Sequence, residues 1–150
     1  MPQSLVKNYI HITFSTKDRY PFIDINIENE LYKYLGGICK NLECFPVQIG
    51  GHTDHIHILC LLSRKIALMK LIEELKSHSS KWIKSKGLKY QKFYWQKGYG
   101  GFSINPSEIE IVSKYIKMQK EHHASKSFKE EYLAFLIKYN VEYDERYVWD

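Results

Sequence analysis

Two short groups of residues in this 150-residue sequence have the types and spacing for chemistry. The first is Asp54-His55-Ile56-His57. Strand residues two apart point to the same face, so on a strand both imidazoles converge. Two aligned imidazoles can hold one divalent metal and leave positions open for oxygen ligands. A pair of surface histidines has the same spacing. The second group is Tyr115, Gln119 and His122, which share one face of a helix. A phenol is a poor nucleophile at its normal pKa of about 10, but beside a metal-activated phosphate it can form a covalent phosphoester. Gln119 can offer its amide oxygen to the same metal. In a chain with 12 tyrosines, an amphipathic tyrosine packed at a helix boundary is the plainer reading of Tyr115.

The elements that must position these groups follow from periodicity. Val6 to Thr16 alternates Asn8, Ile10, Ile12 and Phe14 with Tyr9, His11 and Thr13, which predicts a strand with one apolar side. Leu31, Leu35, Ile38 and Leu42 recur at spacings of three and four and predict a helix from about Asn26 to Cys44, ended by Phe45-Pro46. Two strands, Pro46 to Gly50 and His55 to Leu62, should form a hairpin across Gly51 to Asp54. Ile56 and Ile58 then face a helical layer, and the two histidines look onto the opposite, open face of the sheet. A second helix is expected over Ile66 to Lys84, with Met69, Ile72, Leu75, Ser79, Trp82 and Ile83 inward.

Phe93 to Ile104 looks like a strand bent around Gly98, Gly100 and Gly101. Asn105-Pro106-Ser107-Glu108 carries helix-start signals and predicts a third helix to about His122, docked by Ile109, Val112 and Ile116. Ser127 and Glu130 repeat the capping-box spacing ahead of a fourth helix ending near Asn140. The order strand, helix, strand, strand, helix, strand, then two helices is the α+β, ferredoxin-like (RRM-like) arrangement: an antiparallel sheet with helices on one face plus C-terminal helices. Neither a repeat nor a linker interrupts it, so one domain over residues 1–150 is expected.

Composition narrows the function classes. With 44% hydrophobic and 26% charged residues the chain is neither disordered nor of low complexity, and no apolar run reaches the roughly 18 residues that span a bilayer. Met1 to Ile10 lacks the pattern of a signal peptide, which predicts a cytoplasmic protein. Cys39, Cys44 and Cys60 are unpaired in spacing and are expected to be free thiols. A zinc site joining Cys39 and Cys44 to downstream histidines has no common spacing to support it.

The formal charge of +5 is uneven: net −1 over residues 1–61, +8 over 62–105 and −2 over 106–150. In the middle third, basic residues including Arg64, Lys81 and Lys84 alternate with aromatics including Trp95 and Tyr99. That mixture suits phosphate neutralisation and base stacking, and these five residues are candidate DNA contacts. A solvated helix face over core aromatics is the alternative.

Taken jointly, Gly50-Gly51-His52-Thr53-Asp54-His55-Ile56-His57-Ile58-Leu59, Trp95-Gln96-Lys97-Gly98-Tyr99-Gly100-Gly101-Phe102-Ser103 and Tyr115-Ile116-Lys117-Met118-Gln119-Lys120-Glu121-His122-His123 are specific. In this order the chain resembles the small single-tyrosine HUH transposases of bacterial insertion sequences (the insertion sequence two hundred / six hundred five group). The resemblance extends to His11-Ile12-Thr13-Phe14-Ser15-Thr16-Lys17-Asp18-Arg19 and to Tyr143-Asp144-Glu145. It implies that His55 and His57 are the HUH pair, Gln119 the third ligand of a Mg²⁺ or Mn²⁺ ion, and Tyr115 the nucleophile. Such enzymes cut and rejoin single-stranded DNA through a 5′-phosphotyrosine, recognise hairpins at element ends, act as homodimers in which the tyrosine can serve the partner's site, and need no nucleotide cofactor.

Asp54 precedes the pair as it often does in the family and is placed to orient an imidazole. His122 and His123 also match a family pattern without an assigned role, and His11 falls on the polar side of the first strand. A domesticated relative acting on chromosomal palindromes would use the same chemistry, as would a replication initiator, which so short a chain disfavours. A noncatalytic RNA-binding module would need exposed aromatics where the third strand carries His55 and His57.

Overall fold

The computed structural model describes residues 2–150. Among these, β1 (Tyr9–Ser15), α1 (Glu28–Asn41), β2 (Phe45–His52), β3 (His55–Leu61), α2 (Leu68–Lys84) and β4 (Gly100–Ile104) run in the anticipated order. The sheet is antiparallel with strand order β2-β3-β1-β4. Three further helices follow: α3 (Ile109–Lys117), α4 (Gln119–His122) and α5 (Phe128–Lys138).

Alternation along the two central strands divides the protein. Ile10, Ile12 and Phe14 of β1 and Ile56, Ile58 and Cys60 of β3 pack under Leu31, Leu35 and Cys39 of α1 and Leu71, Ile72, Leu75 and Ile83 of α2. The other side was expected to be open, yet α3 and α5 cover it. Leu59 and Ile104 pack on Val112 and Ile116, and Phe102 packs on Phe128, Tyr132 and Leu136. The close approach of α3 depends on Gly50, where a Cβ would stand 2.8 Å from the Ile116 carbonyl oxygen.

Several boundaries differ from the sequence reading. The first helix stops at Asn41, ahead of Phe45-Pro46, because Glu43 adopts φ 59° and the Glu43 and Cys44 amides donate back to the Lys40 and Cys39 carbonyls. Phe45 and Pro46 instead begin β2. Met69 lies outward at 68% exposed and Leu71 takes the inner position. Only Gly100–Ile104 of the glycine-rich segment is strand. Before it, the Lys76 ammonium donates to the carbonyls of Gln96, Lys97 and Gly98 at 2.7, 3.0 and 2.8 Å, occupying groups a strand would have paired. Burial alone pulls Lys76 down to about 8, against which the three carbonyls favour its charged form. The helix expected to reach His122 breaks at Met118, whose amide donates to both the Lys114 and Tyr115 carbonyls. All three cysteines are free and buried, and Cys60 lies on the apolar face, across the sheet from the histidines.

Candidate active site

Extended backbone pairing puts Ser15 opposite His55 and Thr13 opposite His57, so both imidazoles leave β3 on the face under the C-terminal helices. Each is fully buried. Capping of α5 brings the remaining groups over them. The Ser127 hydroxyl accepts from the Glu130 amide and the Glu130 carboxylate accepts from the Ser127 amide, the capping box expected there. Phe128, Tyr132 and Leu136 dock the helix and carry Glu131 inward with them.

The buried polar atoms form one connected set. His57 Nε2 lies 2.9 Å from Glu131 Oε1, and His57 Nδ1 lies 2.8 Å from His11 Nε2. His55 Nδ1 meets Asp54 Oδ1 at 2.7 Å, while its Nε2 faces Gln119 Oε1 at 2.9 Å and Glu131 Oε1 at 3.5 Å. The Gln119 amide donates to Glu131 Oε2 at 3.1 Å, His123 Nε2 meets the same oxygen at 3.2 Å, and the Tyr115 hydroxyl donates to it as well.

The donor set fits a cation. A neutral His55 that donates from Nδ1 to Asp54 has only a lone pair at Nε2, and that lone pair confronts the oxygens of Gln119 and Glu131. Converging lone pairs of this kind are satisfied by a bound cation or by a second proton on the ring. One ligand atom each from His55, His57, His123 and Glu131 lies within 4.8 Å of the others. Imidazole nitrogen with carboxylate oxygen suits a divalent ion such as Mn²⁺, and the cluster fits a divalent metal site.

Electrostatics follow from the same contacts. Burial raises the Glu131 carboxyl, but hydrogen bonds from His123 and His57 and the neighbouring imidazoles outweigh it and hold the group far below its usual range. Burial, then the Glu131 carboxylate beside it, pushes the Tyr115 phenol above its usual value. Burial lowers His57 despite Glu131, and burial together with His57 lowers His11 further. For His123 burial acts downward, yet Glu131 prevails and raises it. Burial raises Asp54, and the hydrogen bond from His55 brings it below the usual value.

The structure thus gathers Tyr115, His55, His57, Gln119 and Asp54 in one place. His122 lies beside them, its ring centroid 4.5 Å from that of Tyr115, and it is not among the side chains whose ligand atoms converge with Glu131. The proposed DNA contacts are not part of this cluster. Arg64 and Lys81 are exposed and Lys84 is half-buried, its ammonium 4.1 Å over the Tyr94 ring. Lys81 and Lys84 belong to α2, on the far side of the sheet. Trp95 is corrected from DNA contact to core residue: it is 8% exposed, packs edge-on against Phe14 and Phe93, and donates from Nε1 to the Ser79 hydroxyl. Tyr99 is half-buried against the same core.

Glu131 was missed by the sequence reading, and His11 and His123 had no role there. The one signal for Glu131 is a carboxylate in the inward stripe of a helix, three residues after Phe128 and four before Phe135.

Comparisons with known proteins place the chain in a family. The chain matches the family "Transposase IS200 like" over residues 4–119. Among solved structures it resembles a candidate transposase from Deinococcus radiodurans R1, with a TM-score of 0.61 and 18% identity over 79% of this chain and 96% of that one. It also resembles a REP-associated tyrosine transposase bound to a REP hairpin, with a TM-score of 0.58 and 14% identity over 82% of this chain and 73% of that one. No curated protein matches the sequence. Because the family match spans most of the chain and takes in His55, His57, Tyr115 and Gln119, this protein belongs to the IS200-like transposases.

Proposed function

We propose that this transposase cuts and rejoins single-stranded DNA at hairpin-bearing ends through a 5′-phosphotyrosine on Tyr115, with His55, His57 and Gln119 holding Mg²⁺ or Mn²⁺. The observation that carries the reading is that a tyrosine, two imidazoles and a glutamine from separate elements meet in one buried polar cluster. A divalent ion held there supplies polarisation of the phosphate oxygens. The protein's own groups do the rest. Asp54 and His11 fix the orientation of the two imidazoles from behind. Tyr115 gives up its bond to Glu131 and releases its proton to solvent as its oxygen forms a bond to phosphorus; the bond from phosphorus to the 3′ oxygen breaks, and that oxygen takes up a proton from solvent to leave a free 3′-hydroxyl. The reverse attack by a 3′-hydroxyl restores the phenol and rejoins a strand. Tyr115 lies against His57 of its own chain, which supports a tyrosine that acts in its own chain's site. A homodimer remains the expected assembly, and light scattering tests it.

The decisive experiment mixes the protein with single-stranded oligonucleotides from the DNA flanking its own gene and with chromosomal palindromes, with Mn²⁺ or with chelator, on denaturing gels. A metal-dependent covalent adduct is expected with wild type and none with Tyr115→Phe. An adduct that survives in Tyr115→Phe would reject the nucleophile, and adducts only on chromosomal palindromes would identify a domesticated relative. Lys81→Ala with Lys84→Ala should weaken oligonucleotide binding and lower its salt slope by about 2, close to one released counterion per lysine. An unchanged slope removes that side of α2 from the interface.

A further inference from the structure

We infer that Glu131 of α5 is a positioning residue that ties the nucleophile to the metal, one carboxylate oxygen turned to the histidine pair and the other to Tyr115 and Gln119. The inference rests on the reading that the cluster holds a divalent ion and that Tyr115 attacks. Glu131 lies outside the 4–119 segment that matches the family, so the family match does not assign it. It is 2% exposed, on a helix whose other buried positions are Phe128, Tyr132 and Leu136. A carboxylate is stable in such a place only with several donors or cations around it.

The two oxygens have different partners. Oε1 lies 2.9 Å from His57 Nε2 and 3.5 Å from His55 Nε2. Oε2 accepts from Tyr115 Oη and from the Gln119 amide, and meets His123 Nε2. By taking the Gln119 amide nitrogen, Oε2 turns the Gln119 oxygen toward His55, the orientation a third ligand requires. By taking the phenol, it sets Tyr115 against the same cluster. One side chain therefore aligns the products of three separate elements: the histidines of β3, the tyrosine of α3 and the glutamine of α4.

The test compares wild type, Glu131→Gln, Glu131→Asp and Tyr115→Phe, each checked for folding by circular dichroism. Mn²⁺ affinity is read by electron paramagnetic resonance, and single-turnover adduct formation is measured at saturating Mn²⁺ and DNA. Glu131→Gln, which keeps shape and removes charge, should weaken Mn²⁺ binding about 10–100-fold, whereas Tyr115→Phe leaves it unchanged. At saturating Mn²⁺, Glu131→Gln should still form adduct at least about tenfold more slowly with unchanged DNA affinity, the size expected for a misplaced nucleophile. Glu131→Asp should recover part of the Mn²⁺ affinity. A second readout is the ¹⁹F resonance of 3-fluorotyrosine at position 115, which should move on adding Mg²⁺ to wild type and stay fixed in Glu131→Gln. Equal Mn²⁺ affinity and equal adduct rates in wild type and Glu131→Gln would overturn the inference while leaving the functional reading intact. A wild type that neither binds Mn²⁺ nor forms an adduct would overturn both.

Discussion

The two faces of the sheet are built from the same strands and serve opposite ends. Toward α1 and α2, residues 10, 12 and 14 of β1 and 56, 58 and 60 of β3 are apolar or cysteine, and the layer closes by hydrophobic burial. On the other face the alternate positions place His11, Thr13, His55 and His57 in the interior, and nothing of them is left to solvent beyond 1%. That face closes at its flanks by apolar packing of Leu59, Ile104 and Phe102 under α3 and α5, but around the histidines by pairing polar groups with one another, a costly solution that is stable only while every partner is present. One face therefore holds the fold, and the other spends stability on a site.

The comparison can be broken most strongly at the apolar face. Phe14 is fully buried against Trp95, and Phe14→Ala should cost about 3–5 kcal/mol in denaturant unfolding, with no recovery on adding Mn²⁺. A loss below about 1 kcal/mol would mean that this layer is not the main source of stability. On the polar face the dependence should run through the ion. At a hundred times its dissociation constant, Mn²⁺ should stabilise wild type by about 2.7 kcal/mol and His57→Ala by almost nothing. Equal stabilisation of the two would place the ion elsewhere.

The smallest expected effect is in the pH profile. Buried His11 and His57 stay neutral in the folded protein below the ordinary histidine value of 6.5, whereas the unfolded chain takes up protons there. Their contribution is therefore complete above 6.5 and is lost as the pH falls through it. His123 is raised, so its contribution is already complete below 6.5 and does not offset that slope. Thermal melts from pH 8 to 5 should show this loss, flattened in His11→Gln, while Leu35→Val lowers the whole curve without changing its slope. An unaltered slope in His11→Gln would show that the imidazole pair titrates elsewhere.

These contrasts also mark how much was legible beforehand. Period-two alternation in β1 and β3 reported which side chains share a face, because that is a property of local geometry. The single helix face read for Tyr115 and Gln119 did not hold, since the helix breaks at Met118 between them and only packing brings the two together. The Asn105 and Ser127 caps marked helix starts because capping, like alternation, is local. Trp95 was misread because a basic, aromatic segment looks the same whether its rings stack on bases or fill a core. Its burial follows from Ser79 and Phe14, residues 16 and 81 positions away.

By itself, then, the sequence determined the order of elements and the inward and outward sides of the two central strands. Local sterics and periodicity act over a few residues and need no partner. Only the tertiary structure decided that α3 and α5 close the histidine face, that Met118 breaks the tyrosine helix, and that Glu131 arrives 74 residues after His57 to meet it. Such contacts depend on how whole helices pack, through a glycine that admits a carbonyl and a capped helix that turns one carboxylate inward.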